Sequence, residues 1–282
     1  MATARIVDSQ PKDVSLSDYP TDKLEHLDRK AIETESAELE TRLAHQQDLL
    51  YGAATQSVLI VLQGMDTSGK DGTIKHVMSA INPTGCHVWS FKAPSAEELA
   101  HDFLWRIHQR TPPRGMMAIF NRSHYEDVLV ARVHNLVPRK VWQERYDAIN
   151  AFEQMLTNSG VILLKFFLHI SKDEQKRRLL EREQDPDKAW KLSVGDWQER
   201  AFWDDFVAAY EDALARCGTP WAPWYIVPAD TKWFRNYVVA HTIVEQLKPY
   251  ERVWEQALDE LGKERLRELR EAHIPEREGK HG

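Results

Sequence analysis

A glycine-rich segment follows the first strongly apolar run of the chain. Gly64 and Gly69 are separated by four residues, and Lys70 comes directly after them. In such a segment the glycines let backbone N–H groups point inward, the next helix offers its positive N-terminus, and the lysine adds a mobile cation. The spacing predicts a phosphate-binding loop between a strand at 58–62 and a helix at 70–80. The residues expected to contact phosphate are Gly64, Met65, Thr67, Ser68, Gly69, Asp71, Gly72, Thr73 and Lys75.

Two departures from the usual phosphate-loop pattern are informative. The position after the lysine holds Asp71, where a magnesium-binding Ser or Thr is usual, and Asp66 stands inside the loop itself. A carboxylate beside bound phosphates repels them unless a divalent cation lies between. We therefore expect Asp66 to be either a magnesium ligand or the group that accepts a hydroxyl proton. The alternative is that Asp66 only forms the turn.

A second polar cluster follows an apolar run at 116–120 and reads NRSHYED over residues 121–127. In phosphate-loop proteins the neighbouring strand often ends with an acidic metal ligand. An arginine there can hold a phosphate through two parallel hydrogen bonds. The alternative is a polar helix start, with Ser123 as the cap and Glu126 completing a capping box. The expected roles are phosphate binding for Arg122 and metal or substrate binding for Asn121, Glu126 and Asp127.

A basic segment lies further along the chain. Arg178 and Arg182 are four residues apart, which places them on one face of a helix. Like charges at this spacing cost about 0.2–0.5 kcal/mol, a cost that is offset if both meet a polyanion. Helices over 172–216 that carry arginines onto phosphates would act as a lid that excludes water. The alternative is that Glu174 and Glu181 neutralise the arginines.

The apolar run at 87–91 ends at the same predicted sheet edge as the phosphate loop. We expect Lys92, which follows it, to contact a donor or acceptor phosphate. Ser95 is expected to cap the next helix, with Glu98 in the capping-box position. Five tryptophans are candidates for stacking a nucleobase, although most of the ten in the chain are expected to build core: Trp190, Trp197, Trp203, Trp221 and Trp224.

The order of apolar runs and helical patterns indicates the fold. Runs at 58–62, 87–91, 116–120, 161–168 and 224–227 are almost continuously apolar, as expected of strands buried on both faces. Their alternation with helices predicts a three-layer α/β fold with a parallel sheet of about five strands. Helices are expected at 32–50, 70–80, 96–108, 141–156, 172–216, 233–247 and 254–269.

Three parts of the chain are expected from this pattern. Residues 1–30 form a polar arm, 31–250 form the phosphate-loop domain with its lid, and 251–282 form a helix and a charged tail. The helix at 32–50 carries a narrow apolar stripe, which indicates packing on its own domain. A contact between subunits is the alternative for this stripe.

Composition excludes several classes of protein. The 282 residues carry a formal net charge of -7, so the basic footprint expected for duplex nucleic acid is absent. The sequence has no run of 18 apolar residues and no signal-like N-terminus, so we expect a cytoplasmic protein without membrane contact. Two cysteines far apart in the chain argue against a disulfide framework or a zinc knuckle.

Together these segments resemble the polyphosphate kinase 2 family. The resemblance rests on GMDTSGKDG at 64–72, FKAPS at 91–95, FNRSHY at 120–125 and the lid run at 174–191. Shorter pieces at 222–224 and 229–230 also fit, and all occur in order across about 35–250. The resemblance accounts for the unusual loop, because that family carries the aspartate inside the loop and lacks the Ser or Thr.

The resemblance implies a phosphate-loop kinase core with a helical lid. It implies an enzyme that moves the terminal phosphoryl group between inorganic polyphosphate and nucleotides, with Mg²⁺ or, as a substitute, Mn²⁺. In this reading Asp66 is the magnesium-linked catalytic carboxylate and Lys70 is the loop lysine. The phosphate clamps are Arg122, Arg178 and Arg182. Polyphosphate is expected along a basic groove from Lys75 past Arg122 towards the lid.

The second cluster refines this expectation. Many members have a metal-binding aspartate where this chain has Asn121, and its NRSHYED segment is similar to a subgroup that accepts both nucleoside mono- and diphosphates. Glu126 lies where that subgroup differs from the forms that accept diphosphates only. The implied reactions are AMP to ADP and ADP to ATP, in a homo-oligomer (dimer or tetramer). The alternatives are an ATP-dependent nucleoside or nucleotide kinase and a phosphate-loop binding module without turnover.

Overall fold

The computed structural model describes residues 4–9, 13–22, 28–184 and 194–272. Within these ranges one sheet contains six strands: β1 (Arg5–Val7), β2 (Ser57–Gln63), β3 (Cys86–Ser90), β4 (Met117–Asn121), β5 (Val161–His169) and β6 (Trp224–Pro228). Their order across the sheet is β1-β6-β5-β2-β4-β3. All neighbours pair in parallel except β1, which is antiparallel to β6. The predicted α/β class and its five parallel strands are confirmed, and β1 is an additional strand.

The central strands place the phosphate loop. Every residue of β2 is buried, and side chains alternate between the two faces, so both faces of the sheet are covered. This agrees with the predicted three layers. Leu62 pairs with Asn121 of β4 on one side and with Phe166 of β5 on the other. The carboxyl ends of β2 and β4 therefore lie side by side, which brings the two polar clusters together.

Helices connect and cover the strands. Their bounds are α1 (Arg29–Ala53), α2 (Lys70–Ser79), α3 (Ala96–Leu99), α4 (Trp105–His108), α5 (Val130–Val133), α6 (Arg139–Asn158), α7 (Lys172–Gln184), α8 (Val194–Ala201), α9 (Trp203–Cys217) and α10 (Lys232–Glu271). Short 3-10 turns lie at Leu16–Asp18, Pro83–Gly85 and His124–Asp127. In the described ranges, no helix combines the length and the apolar character needed to cross a membrane.

Two predicted helices are each divided into shorter ones in the structure. The helix expected at 96–108 is two single turns, α3 and α4, the first of which begins with the predicted capping box of Ser95 and Glu98. The stretch at 172–216 contains α7, α8 and α9. Residues 185–193, which include the stacking candidate Trp190 and the end of the lid run at 174–191, lie outside the described residues.

The two predicted C-terminal helices are one helix. Pro249 lies inside α10, where its missing N–H removes one helical hydrogen bond. Contacts with α1 hold the helix on both sides of the proline: the Gln46 amide donates to Val244 O at 2.9 Å and to Glu251 Oε1 at 2.6 Å. The helix therefore continues across the boundary expected at residue 250.

The apolar stripe of α1 packs inside its own chain. Ile32, Leu39, Leu43 and Leu50 are all buried, and α1 lies along α10. The interpretation that this helix packs on its own domain is confirmed.

The expected N-terminal arm is attached to the sheet. Its residues 5–7 form β1, and Leu16 is buried, with its N–H bonded to Glu211 Oε1 at 2.8 Å. A second contact joins the Asp230 N–H to Thr21 O at 3.0 Å. A three-residue strand is too short to give a clear alternating pattern, so the sequence did not indicate it.

Candidate functional site

The loop between β2 and α2 has the geometry of an anion cradle. Gly64 and Gly69 have φ angles of 154° and 98°, and Thr67 has a φ of 64°. A Cβ on Gly69 would lie 1.8 Å from Arg235 Nη1, and one on Gly64 would lie 2.7 Å from Leu168 O. Both glycines are therefore required by backbone conformation and by close packing. The predicted loop is present where the spacing placed it.

Two loop hydroxyls, Thr67 Oγ1 and Ser68 Oγ, are buried without a hydrogen-bond partner among the described residues. Buried polar atoms are normally paired, so unpaired hydroxyls in an anion cradle fit phosphate oxygens. Thr73 differs: it is fully buried and its hydroxyl lies 3.5 Å from Asn236 Oδ1.

Lys70 is folded onto its own loop. Its ammonium donates to Gly64 O at 2.9 Å and to Met65 O at 3.3 Å, and the side chain is buried. Burial, together with the nearby Arg122 charge, lowers the pKa of Lys70 to about 8. Two loop carbonyls therefore hold the Lys70 ammonium, and a bound phosphate would replace them as its hydrogen-bond partner.

Affinity of the loop for polyanions should fall as the pH rises through about 8. Lys70 is charged below that pH and neutral above it, and a bound anion favours the charged form. Above the pKa, this affinity should fall by at most about tenfold per pH unit. Calorimetry with long-chain polyphosphate, whose internal phosphates keep their charge, measures this between pH 6.5 and 9.5. An affinity independent of pH over that range contradicts the assignment of Lys70 to the anion site.

The second cluster meets the loop through Arg122. Its Nη2 donates to Asp66 Oδ1 at 2.8 Å, and its Nη1 donates to Glu126 Oε2 at 3.2 Å. Arg122 has a φ of 63°, a left-handed conformation that is unfavourable for a side chain of this size. The carboxylates of Glu126 and Asp66 raise the pKa of its guanidinium. Arg122 thus links the two carboxylates that were predicted to bind a metal ion.

The donor set fits a magnesium ion that is completed by phosphate. Asp66 and Glu126 both pair with the Arg122 guanidinium, and their carboxylate oxygens are the kind of ligand that Mg²⁺ prefers. The described residues contain no ready-made cluster of three or more acidic, His or Cys ligands. Ligands from the substrate would therefore have to complete the coordination, as is usual where Mg²⁺ binds phosphates.

The prediction of Asp127 as a metal ligand is not supported. Its carboxylate lies between Arg145 Nη1 at 3.2 Å and Arg106 Nη2 at 3.8 Å. The 3-10 turn directs neighbouring side chains in different directions, so Glu126 faces the loop and Asp127 faces these arginines. The capping box also differs from expectation: Ser123 caps the turn by accepting the Tyr125 N–H, whereas Glu126 pairs with Arg122.

Asn121 and Asp71 form a pair at the start of α2. The Asn121 amide nitrogen donates to Asp71 Oδ1 at 2.7 Å. The pair joins the end of β4 to the first turn of the helix. The two predicted lysines nearby, Lys75 and Lys92, have exposed side chains.

The lid helix α7 is tied to the loop by Arg178. Its guanidinium donates to Thr67 O at 2.8 Å, to Ala229 O at 2.6 Å and to Asp230 O at 2.7 Å, and Nε pairs with Glu174 at 2.5 Å. Arg178 therefore contacts main-chain carbonyls and the neighbouring acid that was considered as the alternative. Arg182, one turn further along, is half-buried.

Sequence reasoning missed three residues at the loop. Arg235 of α10 is buried and donates to Ser68 O at 3.2 Å, and burial lowers its pKa to about 10. Tyr210 Oη accepts the Gly64 N–H at 3.2 Å, and the Gln175 amide donates to Asp66 O at 3.3 Å. All three come from distant segments, and no local motif marks them.

A cavity of about 330 Å³ opens beside the two carboxylates. Its polar lining includes Asp66, Arg122 and Glu126, with Gln175, His134 and Glu199. Apolar and aromatic side chains also line it: Leu129, Val130, Trp203, Phe206 and Tyr210. Of the five tryptophans considered for stacking, Trp203 lines this cavity, whereas Trp224 is buried in the core.

Comparison with known proteins agrees with this geometry. The profile of the family described as Polyphosphate kinase 2 matches residues 26–254. An AMP/ADP-polyphosphate phosphotransferase of Meiothermus ruber is 53% identical over 212 residues, which are 75% of this chain and 79% of that protein. An ADP-polyphosphate phosphotransferase of Rhodopseudomonas palustris is 47% identical over 73% of this chain and 76% of that protein.

A solved structure shows the same fold. The crystal structure of Polyphosphate Kinase 2 from Arthrobacter aurescens TC1 superposes with a TM-score of 0.82 at 39% sequence identity. The match covers 88% of this chain and 92% of that one. The profile, the relatives and the fold agree with the loop and its carboxylates: the chain belongs to the polyphosphate kinase 2 family and is a phosphotransferase enzyme.

Proposed function

We propose that this enzyme transfers the terminal phosphoryl group of inorganic polyphosphate to AMP and to ADP, in a magnesium-dependent and in principle reversible reaction. The observation that carries the proposal is Asp66 inside the anion cradle, joined through Arg122 to Glu126. The two relatives described above act, by their names, on AMP or ADP with polyphosphate. A carboxylate pair beside bound phosphates fits metal-assisted phosphoryl transfer better than simple anion binding. What favours polyphosphate over ATP as the donor is the family to which the chain belongs and the names of its relatives.

The acceptor fits the cavity beside the loop. Its apolar and aromatic side chains, such as Leu129, Trp203 and Phe206, suit a nucleobase, and Asp66 and Arg122 suit the phosphate side. Glu126 lines the same cavity and pairs with Arg122, so it would lie near the acceptor's phosphates. This placement supports a role for Glu126 in accepting both nucleoside mono- and diphosphates.

The loop and its neighbours would hold the donor. Gly64 and Gly69 permit N–H groups to face a phosphate, Lys70 supplies a cation, and the hydroxyls of Thr67 and Ser68 are available to phosphate oxygens. Polyphosphate beyond the loop would follow the predicted groove from Lys75 past Arg122 to the lid. Positioning by these groups and charge neutralisation account for most catalysis of phosphoryl transfer.

Asp66 and Glu126 are the residues that would hold Mg²⁺ (or Mn²⁺ in its place). When bound, the ion neutralises charge on the donor and acceptor oxygens. Asp66 accepts a hydrogen bond from Arg122, which keeps its carboxylate oriented towards the cavity. Arg122 itself, once phosphate competes for its N–H groups, can bind the transferred group through two parallel hydrogen bonds.

Enzyme, Mg²⁺, AMP and polyphosphate without any ATP should yield ADP and then ATP. Polyphosphate labelled with a phosphorus isotope traces the transfer to the nucleotide, and a metal chelator should stop the transfer. Formation of ADP only when ATP is supplied would identify an ATP-dependent kinase instead. Labelled polyphosphate that binds without forming labelled ADP would identify a binding module.

A further inference from the structure

A buried polar cluster lies directly beneath the turn that carries Arg122 and Glu126. It consists of His124 and Tyr125 of that turn, Glu153 of α6 and Lys165 of β5, and each of the four is fully buried. None of the four lines the cavity beside the phosphate loop. We call these four residues the buried quartet.

In the charged pair of Lys165 and Glu153, the ammonium and both carboxylate oxygens are hydrogen-bonded. The Lys165 ammonium donates to Glu153 Oε2 at 2.6 Å, to Tyr125 Oη at 2.9 Å and to Cys217 O at 2.7 Å. Glu153 Oε1 accepts the Tyr125 hydroxyl at 2.8 Å and lies 3.2 Å from His124 Nε2. Although burial opposes it, Lys165 and His124 hold the pKa of Glu153 below its usual range.

These contacts determine the direction of the turn. His124 and Tyr125 stand between Arg122 and Glu126 in the chain, and their side chains are fastened into the interior. Arg122 and Glu126 therefore project from the other side, towards Asp66. The left-handed backbone of Arg122, with its φ of 63°, is strained for a side chain of this size and persists only when the surroundings enforce it.

Stability alone does not explain the quartet. A buried ion pair usually adds little net stability compared with apolar side chains of similar volume, because desolvation offsets the attraction. Hydrogen bonds, unlike apolar contacts, define the orientation of the groups that make them. An arrangement of this kind therefore suits a segment whose orientation matters.

We propose that the buried quartet positions Arg122 for phosphoryl transfer: Glu153 and Lys165 fasten His124 and Tyr125, and the turn so held keeps the guanidinium opposite Asp66. The inference rests on the proposed function, since it concerns the rate of that reaction. The four are positioning residues, because they contact neither substrate nor the reacting atoms.

Tyr125→Phe tests the proposal with little risk to folding, because the direct contact between Lys165 and Glu153 remains. It should lower kcat for polyphosphate and AMP by about 10- to 100-fold, as expected when a reacting group is misplaced. The KM for AMP should change by less than about threefold, since uniform binding is kept. Tyr146→Phe removes a hydroxyl from another buried tyrosine, in α6, and should leave kcat unchanged.

A double-mutant cycle separates positioning from a general structural effect. If the quartet acts through Arg122, Tyr125→Phe should have almost no further effect on kcat in an Arg122→Lys enzyme. Additive losses, or a Tyr125→Phe enzyme with wild-type kcat, overturn the proposal.

The pair Glu153→Gln with Lys165→Met removes both charges together and should reproduce the loss in kcat. If this double variant does not fold, the Tyr125→Phe variant and its double-mutant cycle with Arg122→Lys decide whether the proposal holds. Wild-type enzyme that transfers nothing from polyphosphate would instead reject the proposed function.

Discussion

Asp66→Asn should lower the rate of transfer from polyphosphate by at least about 1,000-fold while the protein stays folded. Asparagine has the same shape and its amide oxygen can still accept the hydrogen bond of Arg122, which is 2.8 Å from Asp66 in the native enzyme. What is lost is the negative charge that a divalent cation needs beside phosphate. The Asp66–Arg122 pair is partly exposed, so its stability contribution is only about 0–1 kcal/mol.

Initial rates with AMP, polyphosphate and increasing Mg²⁺ measure this effect, and thermal unfolding verifies the fold. The matched control is Asp48→Asn, the same chemical change on an exposed position of α1, which should leave the rate unaltered. Wild-type activity in purified Asp66→Asn enzyme would remove the central support for the proposed function. Raising Mg²⁺ should not restore the variant, because its site has lost the ligand charge.

The phosphate loop and the central strands were predictable because their causes are local. Gly64, Gly69 and Lys70 set the loop through backbone freedom and charge within seven residues. The buried strands are recognisable in the sequence as continuous apolar runs, because both faces of the sheet are covered. The closeness of Asp66 and Arg122 followed from a further rule, that parallel strands end at one edge.

Other features depend on tertiary contacts that no local pattern reports. Arg235 reaches Ser68 O only because α10 crosses the loop, far away in the chain. Pro249 predicts a helix break, yet Gln46 of α1 supports the chain on both sides of it. Asp127 and Glu126 have different partners because the 3-10 turn points their side chains in different directions. This depends on the backbone conformation of the turn.

Lys70→Ala should reduce transfer by about 100- to 1,000-fold, with part of the loss in kcat and part in the KM for polyphosphate. The ammonium is the cation of the loop, and it donates to Gly64 O and Met65 O when no phosphate is bound. Its removal takes positive charge from the anion site and leaves two loop carbonyls without that donor. The fold should persist, because the glycine conformations and the contact with Arg235 do not depend on the lysine.

The pH dependence of polyphosphate binding makes the Lys70 prediction specific. Wild-type affinity should fall above pH about 8, where the unliganded lysine loses its proton, and the weaker binding of Lys70→Ala should lack that step. Lys140→Ala, which removes an exposed lysine at the start of α6, should keep both wild-type kcat and the step. A Lys70→Ala enzyme with wild-type kcat would assign the loop cation to another residue, for which buried Arg235 is the neighbouring candidate. A Lys70→Ala enzyme that keeps the step near pH 8 would show that Lys70 is not the source of the step.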